Sequence, residues 1–344
     1  MEVKQNVLFL TTSDNYISRD HQTLRIESGG QLRLAIPIHH VESVCNFGQN
    51  IFTPQALQLC WENGVAVCFF SETGYFLGRW EGVPNTSVFL RRDQYRKADD
   101  PDFATAISRS IIKAKVQNCR TSLLRSAREA DNEAEKVELA ARADELSVIL
   151  RWLDREANSI QAARGFEGRA ASVYFGAFSL MLRWQRDSFA FTGRTRRPPR
   201  DRINCLLSFL YALVRHDCIA ALTATGLDPF VGYLHAGRPN RPSLALDLME
   251  EFRPAIADRL AITLINRKQI NKDDFIVRDG GAVEFTDNGR KNVIAAYQTR
   301  KQDTLTHPLL NEQYRYGQLM LVQSRLLARH IRGDLPEYIP FQAK

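Results

Sequence analysis

The hydrophobic period of this 344-residue chain changes once, near residue 100, from the alternation of strands to the 3.6-residue recurrence of helices. A segment patterned for one does not settle as the other, so the change divides the chain into two differently built parts. Before it, the short apolar runs VLFL, LRI, LRLAIPI and VESV are separated by polar or glycine-bearing turns. Leu32, Leu34, Ile36 and Ile38 alternate with Arg33, Ala35 and Pro37, as a half-buried strand should. One helix interrupts the strands: Thr53 is its N-cap, Pro54 its first residue, and Gly64 stops it after ALQLCWEN. VAVCFF then reads as a buried strand and GYFLGRW as its hairpin partner.

The boundary is expected at KADDPDF, residues 97–103, where charge and Pro101 punctuate the chain. Beyond it Ile107, Ile111, Ile112, Val116, Cys119 and Leu123 share one helical face. Further helices fit the run beginning EKVELA and Arg169–Arg186, Ile203–Thr225, Ser243–Asn266 and Tyr314–His330, with a β-hairpin over 274–286 around Asp279-Gly280-Gly281. The expectation is an α+β, two-domain chain: a small β-rich, sandwich-like domain over 1–96 and a larger, mostly α-helical domain over 104–344.

Composition narrows the class further. The longest strongly apolar stretch, Cys205 to Val214, is well short of the roughly 20 residues that cross a bilayer. MEVKQNVLFLTTSDNY lacks a signal peptide's cleavage site. A cytoplasmic protein without a membrane partner is expected. Six cysteines without a CxxC pair read as buried thiols. A net charge of +7 favours a polyanionic partner only weakly over so long a chain.

Three segments place ionisable residues beside small or glycine-bearing neighbours: GFEGRAASVYF at 165–175, TGRTRRPPRDR at 192–202 and DPFVGYLHAGRPNRPSLALDLMEEFRP at 228–254. Glu167 sits between Gly165 and Gly168 at an expected helix start, His235 in a loop, and Glu250 on a helix one turn beyond Asp247. Taken singly, Glu167 is more often a helix-start carboxylate, His235 a surface or hydrogen-bonded histidine, and the acids near Glu250 a face paired with Arg253. Arg194, Arg196, Arg197, Arg200 and Arg202 crowd a stretch that Pro198 and Pro199 keep out of a helix, which suits phosphate contact or mere solvation. Trp184 is expected in the core.

Together, GFEGRAA, GYLH and SLALDLMEEFRP resemble the signature of the CRISPR-associated integrase of spacer acquisition, the first of the Cas proteins. NCLLSFLYALV at 204–214 extends the resemblance, which covers essentially the whole chain and is nearest to the type I-C form. It implies that Glu167, His235 and Glu250 are catalytic ligands of Mg²⁺ or Mn²⁺. Asp247 and Arg253 then support them, and the five loop arginines, Arg238, Arg241 and Tyr174 are candidate DNA contacts. It also implies an endonuclease and integrase that joins the 3′-hydroxyl of a spacer precursor to a CRISPR repeat. Expected partners are double-stranded DNA, a second copy docked through the N-terminal domain, and a small ferredoxin-like companion completing a heterohexamer. A non-catalytic DNA-binding scaffold and a metallohydrolase of another phosphoester are the competing readings.

Overall fold

The computed structural model describes residues 7–41, 43–71, 76–80, 88–195 and 198–343. Alternating and continuous apolar runs make strands at the N-terminus: β1 (Val7–Leu10), β2 (Asn15–Asp20), β3 (Thr23–Ser28), β4 (Gln31–Pro37), β5 (Ser43–Phe47) and β6 (Ile51–Phe52). Helix α1 (Pro54–Glu62) follows, started by the Thr53 side chain, which accepts from the Ala56 amide at 3.2 Å. Gly64, at φ +68°, ends it and leads to β7 (Ala66–Phe70) and its antiparallel partner β8 (Phe76–Trp80). Two four-stranded sheets result, ordered β1-β5-β7-β8 and β4-β3-β2-β6. Leu10, Val44 and Val67 from the first, Ile17, Leu24 and Ile26 from the second, and Leu59 of α1 form one buried core. The apolar face expected of β4 is covered only in part: Ile36 packs against the core and Ile38 is buried, but Leu32 and Leu34 are 52% and 43% exposed on an edge strand.

The remaining elements are mainly helical: α2 (Val88–Ala98), α3 (Pro101–Glu129), α4 (Glu133–Glu156), α5 (Ile160–Gly176), α6 (Arg202–Thr225), α7 (Ser243–Phe252) and α8 (Arg259–Asn266). The hairpin of β9 (Phe275–Val277) and β10 (Val283–Phe285) stands where it was expected. Next come α9 (Asp287–Gln302), the pair β11 (Thr304–Thr306) and β12 (Gln313–Arg315), and α10 (Leu319–Ile331). A β-rich N-terminal region and a helical C-terminal region are thus both present.

The chain divides into compact units between Asn85 and Thr86, earlier than the change of composition at 97–103, and Phe285–Lys291 group with the first unit. The reason is local. Asp100 and Pro101 are the N-cap and first residue of α3, with the Asp100 carboxylate accepting from the Asp102 and Phe103 amides. Helix α2 before them already belongs to the helical unit, where Gln94 donates to the Asp228 and Val231 carbonyls and accepts from the Asp228 amide.

Two other expectations shift. Helix α5 begins at Ile160, because Ser159 caps it by accepting from the Ala162 amide, so Glu167 lies within the helix and not at its start. Helix α6 is long and apolar enough to cross a bilayer by length and composition, yet most of it is buried, packed against α7, α8 and α10 of the same unit. The six cysteines are buried thiols.

The C-terminal segment is tied to the buried carboxylate of Glu251 on α7. Tyr338 Oη donates to one oxygen, and Gln323 Nε2 (2.9 Å) and the Phe341 amide (2.7 Å) donate to the other. Asn118 of α3 completes the tie, donating to the Phe341 carbonyl and accepting from the Ala343 amide. Burial pushes the Glu251 carboxyl up to about 7, although the three donors pull the other way. The folded chain therefore holds a proton that the unfolded chain releases above about 4.5, and stability falls as pH rises from there to about 7. Urea unfolding across that range should show a steeper slope in the wild type than in Glu251→Gln, where buried Asp258, pushed up to about 6, still contributes below that pH. Glu251→Ala, which strands three buried donors, should cost about 3 kcal/mol or more.

Candidate active site

Four segments of the helical unit converge on one cluster of charge. Helix α3 supplies Lys115, α5 supplies Arg164 and Glu167, the loop before α7 supplies His235, and α7 with the turn after it supplies Asp247, Glu250 and Arg253. Helix α7 does not end cleanly. Pro254 lacks the amide that would continue the ladder, and Arg253–Asp258 form a π-type turn, a distortion common at functional sites.

Asp247 organises the loop. Its fully buried carboxylate accepts from the backbone amides of Tyr233 (2.7 Å), Leu234 (3.0 Å) and His235 (2.9 Å), and contacts His235 Nδ1 at 2.7 Å. A carboxylate surrounded by three amides accepts a hydrogen bond from the imidazole, so Nδ1 carries hydrogen and Nε2 presents a lone pair. That nitrogen lies 3.9 Å from Glu250 Oε1. A metal-binding histidine is commonly held in this way, with a carboxylate behind it. The loop approaches closely only because residue 232 is glycine: a Cβ there would lie 2.7 Å from Asp247 Oδ2 and 2.7 Å from the Ser243 carbonyl carbon. Arg164 of α5 donates to the Leu234 carbonyl and fastens the loop from its other side.

Glu250 is almost wholly buried. Burial alone would push its carboxyl up, but Arg253, then Lys115 and His235, outweigh it and hold the group down to about 2. Arg253 Nη1 lies 2.8 Å from Oε1, with its guanidinium 4.8 Å from the Tyr211 ring centroid. Lys115 Nζ lies 2.7 Å from Oε2, without the alignment of a hydrogen bond, and also contacts Glu167 Oε1. Burial opposes the Lys115 charge, and Glu250 and Glu167 more than compensate, so it stays protonated.

Among the described residues no three His, Cys, Asp or Glu side chains stand close enough together to hold a metal ion. The donor set nevertheless suits a divalent cation in kind: two carboxylates and an imidazole nitrogen face one cluster, and Glu250 Oε2 is a buried acceptor without an aligned donor. An ammonium already bridges the two carboxylates.

Comparison with known proteins decides the family. The family model for CRISPR associated protein Cas1 matches residues 8–299. The chain belongs to the Cas1 family. A CRISPR-associated endonuclease Cas1 of Moorella thermoacetica is 46% identical over 341 residues, covering 99% of each chain. A Cas1 protein from Thermotoga maritima superimposes with a TM-score of 0.83 at 25% identity, over 98% of this chain and 100% of the other. A casposase bound to integration product shares the fold, with a TM-score of 0.85 at 20% identity over 99% and 95% of the two chains.

Within this Cas1-family chain the candidate DNA contacts separate. Arg196 and Arg197 lie outside the described residues. Arg194 turns inward, giving Nη1 to Asn204 Oδ1 at 2.6 Å with its guanidinium 5.2 Å from the Tyr211 ring centroid, and Arg202 donates to the Ser188 carbonyl. Both brace the start of α6 and are not free phosphate ligands. Arg200 is exposed and reaches the Gly280 carbonyl on the β9–β10 hairpin. Arg238 is exposed, and Arg241 is lowered by burial and then by the neighbouring charges of Arg238 and Arg164, which gathers three cations beside the His235 loop. Tyr174 is 1% exposed, packed against Phe175 and Phe178, so no nucleotide reaches it in this conformation. Trp184 departs the opposite way: it is half exposed in the loop after α5, with Lys268 Nζ 4.7 Å from its ring centroid.

Sequence reading missed Lys115, Arg164 and Gly232. Lys115 had a signal, a lysine on a helix between the apolar residues Ala114 and Val116. The others show only once the loop is closed around Asp247.

Gly232→Ala should displace the loop while sparing the fold. The expected readout is an unchanged far-ultraviolet spectrum, a loss of about 2 kcal/mol in stability, and disturbed His235 imidazole resonances.

Proposed function

We propose that this chain is the DNA endonuclease and integrase of spacer acquisition, acting in the cytoplasm with Mg²⁺ or Mn²⁺. The observation that carries the reading is the convergence of Glu167, Glu250 and His235 Nε2 on one cluster, with Asp247 fixing the imidazole from behind. Glu167, Glu250 and His235 would hold the divalent ion. The ion would supply Lewis-acid stabilisation of charge developing at a phosphodiester.

The chain's own residues account for the rest. Asp247 accepts from Nδ1–H of His235, which holds the proton there and leaves Nε2 as a donor atom. Arg253 keeps Glu250 ionised and oriented. Arg238 and Arg241 receive phosphate oxygens beside His235. In the joining reaction the 3′-hydroxyl oxygen of the incoming strand bonds to a repeat phosphorus, and the bond from that phosphorus to the neighbouring 3′ oxygen breaks. That oxygen leaves as a new 3′-hydroxyl, so one phosphodiester replaces another. Water in place of the hydroxyl gives endonuclease cleavage. The exposed Leu32 and Leu34 on β4 support pairing with a second copy through the N-terminal unit. The small companion Cas protein, a heterohexameric assembly and the type I-C assignment belong to the same proposal.

One observation favours a second reading, a DNA-binding scaffold without catalysis: Lys115 and Arg253 already neutralise the two carboxylates. Strand transfer separates the two. A labelled duplex with a free 3′-hydroxyl is incubated with a supercoiled repeat-bearing plasmid, the companion protein, and Mn²⁺ or EDTA. Joining should require the metal and fall at least about 100-fold in Glu167→Ala, His235→Ala and Glu250→Ala. Salt-sensitive DNA binding without joining, in an assembled complex, would establish the scaffold. Arg238→Ala should weaken DNA binding and reduce the slope of log affinity against log salt by about one.

A further inference from the structure

The carboxylates assigned to the divalent ion are already shared by a cation of the chain itself. Lys115 projects from the middle of α3, between the buried Ala114 and Val116, and only 11% of its side chain is exposed. Its ammonium contacts Glu167 and lies 2.7 Å from Glu250 Oε2. The second cation of the cluster is held differently. The planar guanidinium of Arg253 is fixed between Glu250 Oε1 and the Tyr211 ring, whereas the lysine ends in a point charge on a flexible four-carbon stem.

We propose that Lys115 is a tethered counter-cation that holds Glu167 and Glu250 together and competes with a divalent ion for them, so that metal affinity reflects the exchange of one cation for the other. The proposal rests on the metal-dependent reading above.

Three features carry it. The contact with Glu250 Oε2 is an ion pair at 2.7 Å to a point charge, and a divalent cation can take the same carboxylate oxygen in its place. Glu167 is the more open member of the pair, 31% exposed against 3% for Glu250, which gives the ammonium a way out on that side. The charges also balance: two carboxylates meet one ammonium and one guanidinium. A divalent ion on the same oxygens adds two positive charges beside the ammonium, and repulsion at that range in a desolvated site drives the mobile group away.

Mn²⁺ titration of the full-length protein tests this by calorimetry, with thermal unfolding in EDTA and in Mn²⁺, for wild type, Lys115→Met, Lys115→Arg and Glu250→Ala. Lys115→Met should bind Mn²⁺ about tenfold or more tightly than wild type. It should melt lower in EDTA, where the carboxylates have lost their counter-charge, and show the larger rise on adding Mn²⁺. Lys115→Arg should retain the weaker binding, and Glu250→Ala should bind no Mn²⁺. If Lys115→Met binds Mn²⁺ no more tightly than wild type, competition by Lys115 is overturned and the metal site stands. If neither binds Mn²⁺, the metal reading fails and takes the proposal with it. Should Lys115→Met not fold, Lys115→Gln carries the same comparison.

Discussion

Glu250 is a carboxylate withdrawn from water, and the arrangement around it is what keeps it ionised. Removing a charge from water costs several kcal/mol unless partners surround it. Here they come from separate parts of the chain: Lys115 from α3, His235 from the loop before α7, and Arg253 from the π-type turn after it. Arg253 stands three residues along the continuation of the helix that carries Glu250, but Lys115 and His235 reach it only through packing. The charge of one side chain therefore depends on the packing of several elements, and disturbing any of them changes both stability and chemistry.

Three acids on α7 show how one helix serves different ends. Asp247 is answered by backbone amides and an imidazole and becomes the frame of a loop. Glu250, three residues on, is answered by cations and stays ionised. Glu251, rotated about 100° further round the helix, meets hydroxyl, amide and backbone donors, has no cation paired with it among the described residues, and is pushed toward its neutral form. Adjacent glutamates thus differ in acidity because they face different surroundings. Glu251 also ties the C-terminal segment to the helix that positions Glu250, coupling the last residues of the chain to the candidate site.

Much of this was legible in sequence where the signal was local. Thr53-Pro54 and Gly64 bounded α1, alternating residues marked the N-terminal strands, and the hairpin around Gly280-Gly281 stood where its turn required. Glu167, His235 and Glu250 could be named from their motifs; Lys115 contacts both glutamates, and His235 Nε2 lies 3.9 Å from Glu250 Oε1. The failures were of another kind. Asp100-Pro101 reads as a domain boundary and is a helix cap, because the same residues suit both and only the docking of α2 distinguishes them. Trp184 and Tyr174 both depart from expectation: α5 ends at Gly176 and leaves Trp184 in an exposed loop, while Tyr174, on the helix, packs against Phe175 and Phe178.

By itself the sequence determined the order and type of most elements, the family, and the identities of the ionisable residues, because caps, periodicity and motifs act over a few residues. Tertiary structure decided which charges meet. It brought Lys115 to Glu167 across 52 residues, turned Arg194 and Arg202 inward to brace α6, and left Arg238 and Arg241 beside His235. Electrostatic interaction depends on distance and on exclusion of water, and neither exists until distant segments have packed together.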